Sequence, residues 1–134
     1  MVMSDLNKIV SAQFSHAATI VPVADVAQSA AFYRDKLGFS IEFTWQQPPT
    51  YAVLRGGEQV SLHLSQSDQN QQGPGKGVAV YVFVHDPDQL YAQYKLAGAP
   101  ITTPIGNRDY HMRDFDVTDP DGNVLCFGCG TDHD

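Results

Sequence analysis

The chain has 134 residues, enough for one domain with its own core and too few for two. Its formal charge of −7 lacks the basic footprint that nucleic-acid binding needs; it favours cationic ligands over anions, although the plainer reading is that a modest acidic balance keeps the protein in solution. The longest apolar runs fall far short of the ~20 residues of a membrane-spanning helix, and Met1 to Val10 shows no secretory pattern, so a cytoplasmic protein is expected.

In chain order, Ala18 to Val23 reads as the first strand. Asp25 then caps a helix, with Gln28 at the capping-box position, and Val26, Ala30, Phe32, Tyr33 and Leu37 recur at helical spacing up to Gly38, a left-handed stop. From Phe39 the period becomes two. Phe39, Ile41, Phe43 and Trp45 alternate with Ser40, Glu42 and Thr44, a half-buried strand in which Trp45 reads as core, with groove lining as the other reading. Pro48 and Pro49 break it, Tyr51 to Leu54 makes another strand, and Gly56 and Gly57 mark a turn. Gln59 to Ser65 alternates cleanly, with Val60, Leu62 and Leu64 on one face and Ser61, His63 and Ser65 on the other. A polar stretch rich in Gln and Gly, about 67–76, reads as a linker.

The pattern then returns. Val78 to Val84 is a strand, and Asp86 caps a helix with Pro87 at its first position. Leu90, Tyr91, Tyr94 and Leu96 follow, and Gly98 ends the helix. Ile101 to Ile105, Met112 to Val117 and Asn123 to Phe127 are further strands, the last two joined by a hairpin turn over Asp119, Pro120, Asp121 and Gly122. That turn fails as a calcium loop, because the twelfth position is Gly130 where Glu is needed. The two halves superpose: Asp25, Gln28, Tyr33 and Gly38 match Asp86, Gln89, Tyr94 and Gly98. A repeat of about sixty residues implies a duplicated βαβββ unit in one domain over 1–134, with repeat one about 14–66 and repeat two about 77–128.

Cys126 and Cys129 are the chain's two cysteines. Their spacing can mark a redox pair or half a zinc site, but a strand points residues three apart to opposite faces, and no helix follows to lower a thiol pKa. They read as structural.

Three segments carry a family likeness. Asp25 to Phe39, with its Asp, Phe-Tyr and Leu-Gly-Phe, resembles the first helix of vicinal oxygen chelate proteins, the group of glyoxalases, bleomycin-resistance proteins and extradiol dioxygenases. Val84 to Ala99 resembles the helix of the second half, and Phe115 to Leu125 the last hairpin. The resemblance implies an α+β fold in which two βαβββ repeats form curved mixed sheets around a cavity, with helices on the outer face. A homodimer that completes its cavities across a two-fold axis is also implied.

Enzymes of that family hold a divalent metal (Zn, Ni, Mn or Fe) with His, Glu or Gln on cavity-facing strands. Counted from the motifs, the four ligand positions here are Ala18, His63, Ala79 and Cys126. One of the four carries an ordinary ligand, so the expectation is no metal cofactor. A two-residue slip would offer His16, giving His16, His63 and Cys126 as the alternative metal set. His63 itself reads either as a polar strand residue or as a ligand contact.

Positions two apart from these on the strands complete a cavity reading: Ser61, His63, Ser65, Tyr81, Phe83, Cys126 and Trp45 as ligand-binding residues, a mixture suited to flat or amphipathic organic molecules. The function expected is metal-independent binding of a cationic or aromatic antibiotic-like molecule, as in bleomycin-resistance proteins. The alternatives are a metal-dependent lyase, isomerase or dioxygenase with an unusual ligand set, and an interaction role without a small ligand.

Overall fold

A computed structural model describes residues 2–67 and 77–131, with the side chains of 2–4 left aside. The expected linker lies almost wholly outside the described residues, as does His133. The elements are α1 (Val2–Gln13), β1 (Ala18–Val23), α2 (Val26–Leu37), β2 (Ser40–Trp45), β3 (Tyr51–Gly56), β4 (Val60–Gln66), β5 (Ala79–Phe83), α3 (Pro87–Ala97), β6 (Ile101–Asn107), β7 (Met112–Thr118) and β8 (Val124–Gly130).

The strands form two four-stranded mixed sheets in the same order, β1-β4-β3-β2 and β5-β8-β7-β6. In each, the first strand runs parallel to the last and the rest are antiparallel, so the βαβββ pattern appears twice. The fold class is α+β as expected, and the two sheets are not closed on each other.

The helix limits follow from their caps. Asp25 accepts from the Gln28 N–H and Asp86 from the Gln89 N–H, while Gly38 and Gly98 take the left-handed conformation at φ 81° and 79°. Helix α1, on which the sequence reading placed no element, leaves its Leu6 and Ile9 more than half exposed.

Each helix covers one face of its own sheet. Val26, Ala30, Tyr33 and Leu37 of α2 pack with Val21, Val23, Ala52, Leu54, Leu62 and Leu64, all buried. In the second half, Tyr94 of α3 meets Phe115 and Phe127 in edge-on contacts at 6.1 and 5.3 Å. Such aromatic pairs add about 0.5–1.5 kcal/mol each beyond burial.

The repeat-equivalent tyrosines tie the halves together. Tyr33 donates from its hydroxyl to Asp119 at 2.7 Å, and Tyr94 donates to the Leu37 carbonyl at 2.7 Å. The β7–β8 hairpin is the anchor on the far side. Asp119 accepts from the backbone N–H groups of Asp121 and Asn123 and from the Asn123 side chain, and Asp121 accepts from Ala24 N–H and the Ser29 hydroxyl. Asn123, fully buried, also donates to the Pro22 carbonyl. The hairpin is a turn, as its sequence predicts, and its carboxylates are spent on joining the two halves.

One strand departs from its pattern. A bulge between Ile41 and Phe43 shifts the register of β2 against β3. Ile41 stays opposite Leu54 on the helix-covered face, whereas Phe43 and Trp45 pair with Val53 and Tyr51 on the open face. Trp45 is therefore 56% exposed, and the core reading of it is corrected.

Candidate open-face binding surfaces

With one face of each sheet under a helix, the other two faces are open, and strand alternation decides what they carry. On the first sheet, pairing lines up Pro22, Ser65, Tyr51 and Trp45 in one row. Ile20, His63, Val53 and Phe43 form the next, and Ala18, Ser61, Arg55 and Ser40 the third. Ile20, Phe43 and Trp45 are each more than half exposed, an apolar content that a solvated sheet face does not need.

Trp45, Tyr51 and Ser65 line an open cleft of about 510 Å³ together with Thr50, Gln66 and Ser67. His63 sits one row away, its Nδ1 2.7 Å from the Tyr51 hydroxyl and the two rings edge-on at 5.5 Å. Ser61 is buried and donates to the Leu54 carbonyl at 3.4 Å. It also lines a second pocket of about 310 Å³ whose opposite wall is Tyr81 and Phe83 of the second sheet.

On the second sheet, Tyr81 is level with Cys126 and Asp116, and Phe83 is level with Gly128 and Asp114. The rings of Tyr81 and Phe83 lie 4.9 Å apart, with Phe83 74% exposed. Asp114, though on this open face, is only 2% exposed. It accepts from the hydroxyls of Tyr81 (3.0 Å) and Tyr110 (2.9 Å) and from the Arg108 Nε (2.7 Å). Burial alone would raise the Asp114 pKa, but the hydrogen bonds from Arg108, Tyr110, Tyr81 and Cys126 outweigh it and hold the carboxyl below its ordinary range. Burial, followed by the carboxylates of Asp116 and Asp114, pushes the Cys126 thiol well above its ordinary value. The Tyr81 phenol is raised as well, by burial and then by Asp114.

The seven predicted ligand contacts thus divide between two faces. Trp45 and Ser65 share one cleft, Ser61 shares a pocket with Tyr81 and Phe83, His63 is engaged by Tyr51, and Cys126 lies beside the Asp114 cluster. Sequence reasoning passed over Tyr51, Arg108, Tyr110 and Asp114. For Asp114 a signal existed: Asp114 and Asp116 alternate with Phe115 and Val117 in one strand, which puts two carboxylates on the side opposite the core.

The residues present do not suit a chelated divalent ion. The side chains of Ala18 and Ala79 carry no ligating atom, which leaves two of the four positions, His63 and Cys126, with one. His16 bonds with the Ser15 hydroxyl at 2.7 Å, and the slipped set of His16, His63 and Cys126 does not assemble: among the described residues, no three His, Cys, Asp or Glu side chains are grouped to hold a metal.

Two βαβββ halves, each with a helix on one face of its sheet and the other face open, define the class of fold. The chain belongs to the Glyoxalase/Bleomycin resistance protein/Dioxygenase superfamily, whose model matches residues 13–127. A bleomycin resistance protein of Geobacillus stearothermophilus is 30% identical to it over 80% of this chain and 90% of that one, and one of Staphylococcus aureus matches equally. Among solved structures, the bleomycin-binding protein of Streptomyces verticillus, complexed with copper(II)-bleomycin, superposes with a TM-score of 0.73 at 28% identity, covering 88% of this chain and 98% of that one. The bleomycin resistance determinant encoded on transposon Tn5 shares the fold, with a TM-score of 0.71 at 21% identity over 87% of this chain and 98% of that one. No helix among the described residues is long and apolar enough to cross a membrane.

Proposed function

We propose that this protein binds and sequesters a bleomycin-like antibiotic or a related cationic, aromatic molecule in the cytoplasm, as a homodimer and without a metal of its own. The observation that carries the reading is the pair of open sheet faces. They present Trp45, Phe43, Tyr51, Tyr81 and Phe83 to solvent where strand positions of a metal enzyme would converge on an ion. Aromatic side chains give flat ligands a large contact area at small entropic cost. The formal charge of −7 draws a cation toward these faces. The dimer rests on the same exposed apolar groups, which a second copy would cover.

The chain's single tryptophan lines the candidate cleft, so its fluorescence reports occupancy directly. Titration with bleomycin, metal-free and copper-loaded, is expected to give a saturable change in the wild-type protein, and calorimetry to show weaker binding by Trp45→Phe. Ligand at a hundred times its Kd should stabilise the fold by about 2.7 kcal/mol in a thermal melt. Stoichiometric divalent metal in untagged protein, lost in His63→Ala, would overturn the metal-independent reading. Sedimentation showing a monomer at all concentrations would overturn the dimer.

A further inference from the structure

Tyr81 and Asp114 stand on strands that are not neighbours; β8 runs between β5 and β7. Their contact is made across Gly128, which pairs with Phe83 on one side and Asp114 on the other. A Cβ built on Gly128 would overlap the Asp114 Cβ and come within 2.5 Å of the Tyr81 hydroxyl. The glycine is therefore what opens the path for the Tyr81 phenol over the sheet. From the other side, the turn between β6 and β7 folds back onto the same carboxylate. Arg108 Nη2 donates to the carbonyls of Pro104 (2.7 Å) and Asp114 (2.8 Å), and Tyr110 reaches Asp114 with its hydroxyl while its ring stays 61% exposed.

Two tyrosines from different elements thus end on one buried carboxylate, with the charge of Arg108 against its other oxygen. Neither ring is placed by packing alone, since Tyr81 is 36% exposed and touches Phe83 at 4.9 Å. Hydrogen bonds to a fixed, ionised acceptor are the stronger kind and restrict the ring's torsions before any ligand arrives. A surface of exposed aromatic rings, each tethered at its polar end, has the form of a preorganised stacking site.

We infer that Tyr81, Phe83 and Tyr110 form a shelf on the second sheet that stacks against a planar aromatic part of the ligand, and that Asp114 is its positioning residue, holding both phenols across Gly128. The inference rests on the binding reading above and adds to it a surface separate from the Trp45 cleft, together with a residue that acts through others. Asp114 does not touch the ligand in this scheme; its carboxylate is already filled by Arg108 and the two phenols.

Tyr81→Phe and Tyr110→Phe keep the rings and delete only the tether, which makes them the decisive variants. The double variant is expected to bind copper-loaded bleomycin at least tenfold more weakly in calorimetry, with the loss in the entropic part and the melting temperature of the free protein little changed. Phe83→Ala should weaken binding through lost contact. Asp114→Asn removes the buried carboxylate that answers Arg108 and so lowers stability, which is why the tyrosine variants carry the test. Wild-type affinity in the double variant, while Trp45→Phe still binds more weakly, would overturn the shelf and leave the binding function standing. No binding of either bleomycin form by the wild-type protein would overturn both.

Discussion

Tyr33→Phe isolates the joint between the two halves. The Tyr33 side chain is fully buried, and its hydroxyl donates at 2.7 Å to Asp119, itself 4% exposed. The substitution keeps the ring contacts to Phe32 and Phe39 and removes one hydrogen bond to a carboxylate. Such bonds contribute about 1.5–3 kcal/mol each. Asp119 keeps three other donors, from Asp121 and Asn123, so it is not stranded and the cost should fall near the lower end, about 1.5–2 kcal/mol. The variant also has a pH signature. Burial, then the charge and hydrogen bond of Asp119, raises the Tyr33 phenol far above its ordinary range in the folded state. In the unfolded chain it ionises near its ordinary value of about 10. The unfolded state therefore sheds a proton that the folded state keeps, so the stabilisation is whole below pH 10 and is lost as pH rises beyond it. At pH 11 the loss is about 1.4 kcal/mol for this one phenol. Urea unfolding at pH 8 and pH 11 measures both quantities. Wild type should lose more stability between the two than Tyr33→Phe, by about that amount. Equal losses, together with a cost below about 0.5 kcal/mol at pH 8, would refute the claim that this bond couples the halves.

Four further outcomes follow from other parts of the molecule. Phe127→Ala empties the centre of the aromatic cluster with Tyr94 and Phe115, and should cost about 3–5 kcal/mol in urea unfolding. Gly38→Ala meets no atom within 4 Å, yet its φ of 81° remains, so a thermal melt should show a purely backbone cost of about 1 kcal/mol. Cys126 should alkylate more slowly than a peptide thiol at pH 8.5, and faster in Asp116→Asn, because burial and then Asp116 hold its proton. Raising ionic strength from 0.01 to 0.15 M should slow association of a cationic ligand and leave its dissociation rate nearly unchanged, as stopped-flow fluorescence of Trp45 would show.

The architecture was readable because its signals are local. Asp25 with Gly38 and Asp86 with Gly98 bound α2 and α3, and the alternation in β4 put Leu62 and Leu64 toward the helix. Trp45 was misread because a bulge is an offset of pairing between two strands; alternation within β2 alone carries no trace of it. Helix α1 was passed over for a related reason, since Leu6 and Ile9 stay more than half exposed and mark out no buried face. The site was less legible than the fold. Asp114 and Tyr81 are 33 positions apart and Tyr33 and Asp119 are 86 apart, and each pair is joined only through strand order and one missing Cβ or one buried turn. The Asp119 to Asn123 stretch announces a turn, but nothing in it announces that its side chains reach Ala24, Ser29 and Tyr33.

The negative charge of this chain does several separate jobs, and the structure sorts them. Asp119 and Asp121 are buried; Asp121 accepts from Ala24 and Ser29 of the first half, and Asp119 from Tyr33 of the first half and from three donors of its own hairpin, so they contribute cohesion between and within the halves. Asp114 is buried and answered by Arg108, so it orients phenols. In the proposed function a cation approaching the open faces meets the long-range field of the net charge, which acts on encounter, and then the aromatic rings and the partly exposed Asp116 beside Tyr81, which act on residence. In the proposed mode of binding, Ala18 and Ala79 stand where a metal enzyme of the family keeps ligands, so discrimination would fall to the spacing of the aromatic rings and to the polar groups beside them, His63 on one sheet and Asp116 on the other.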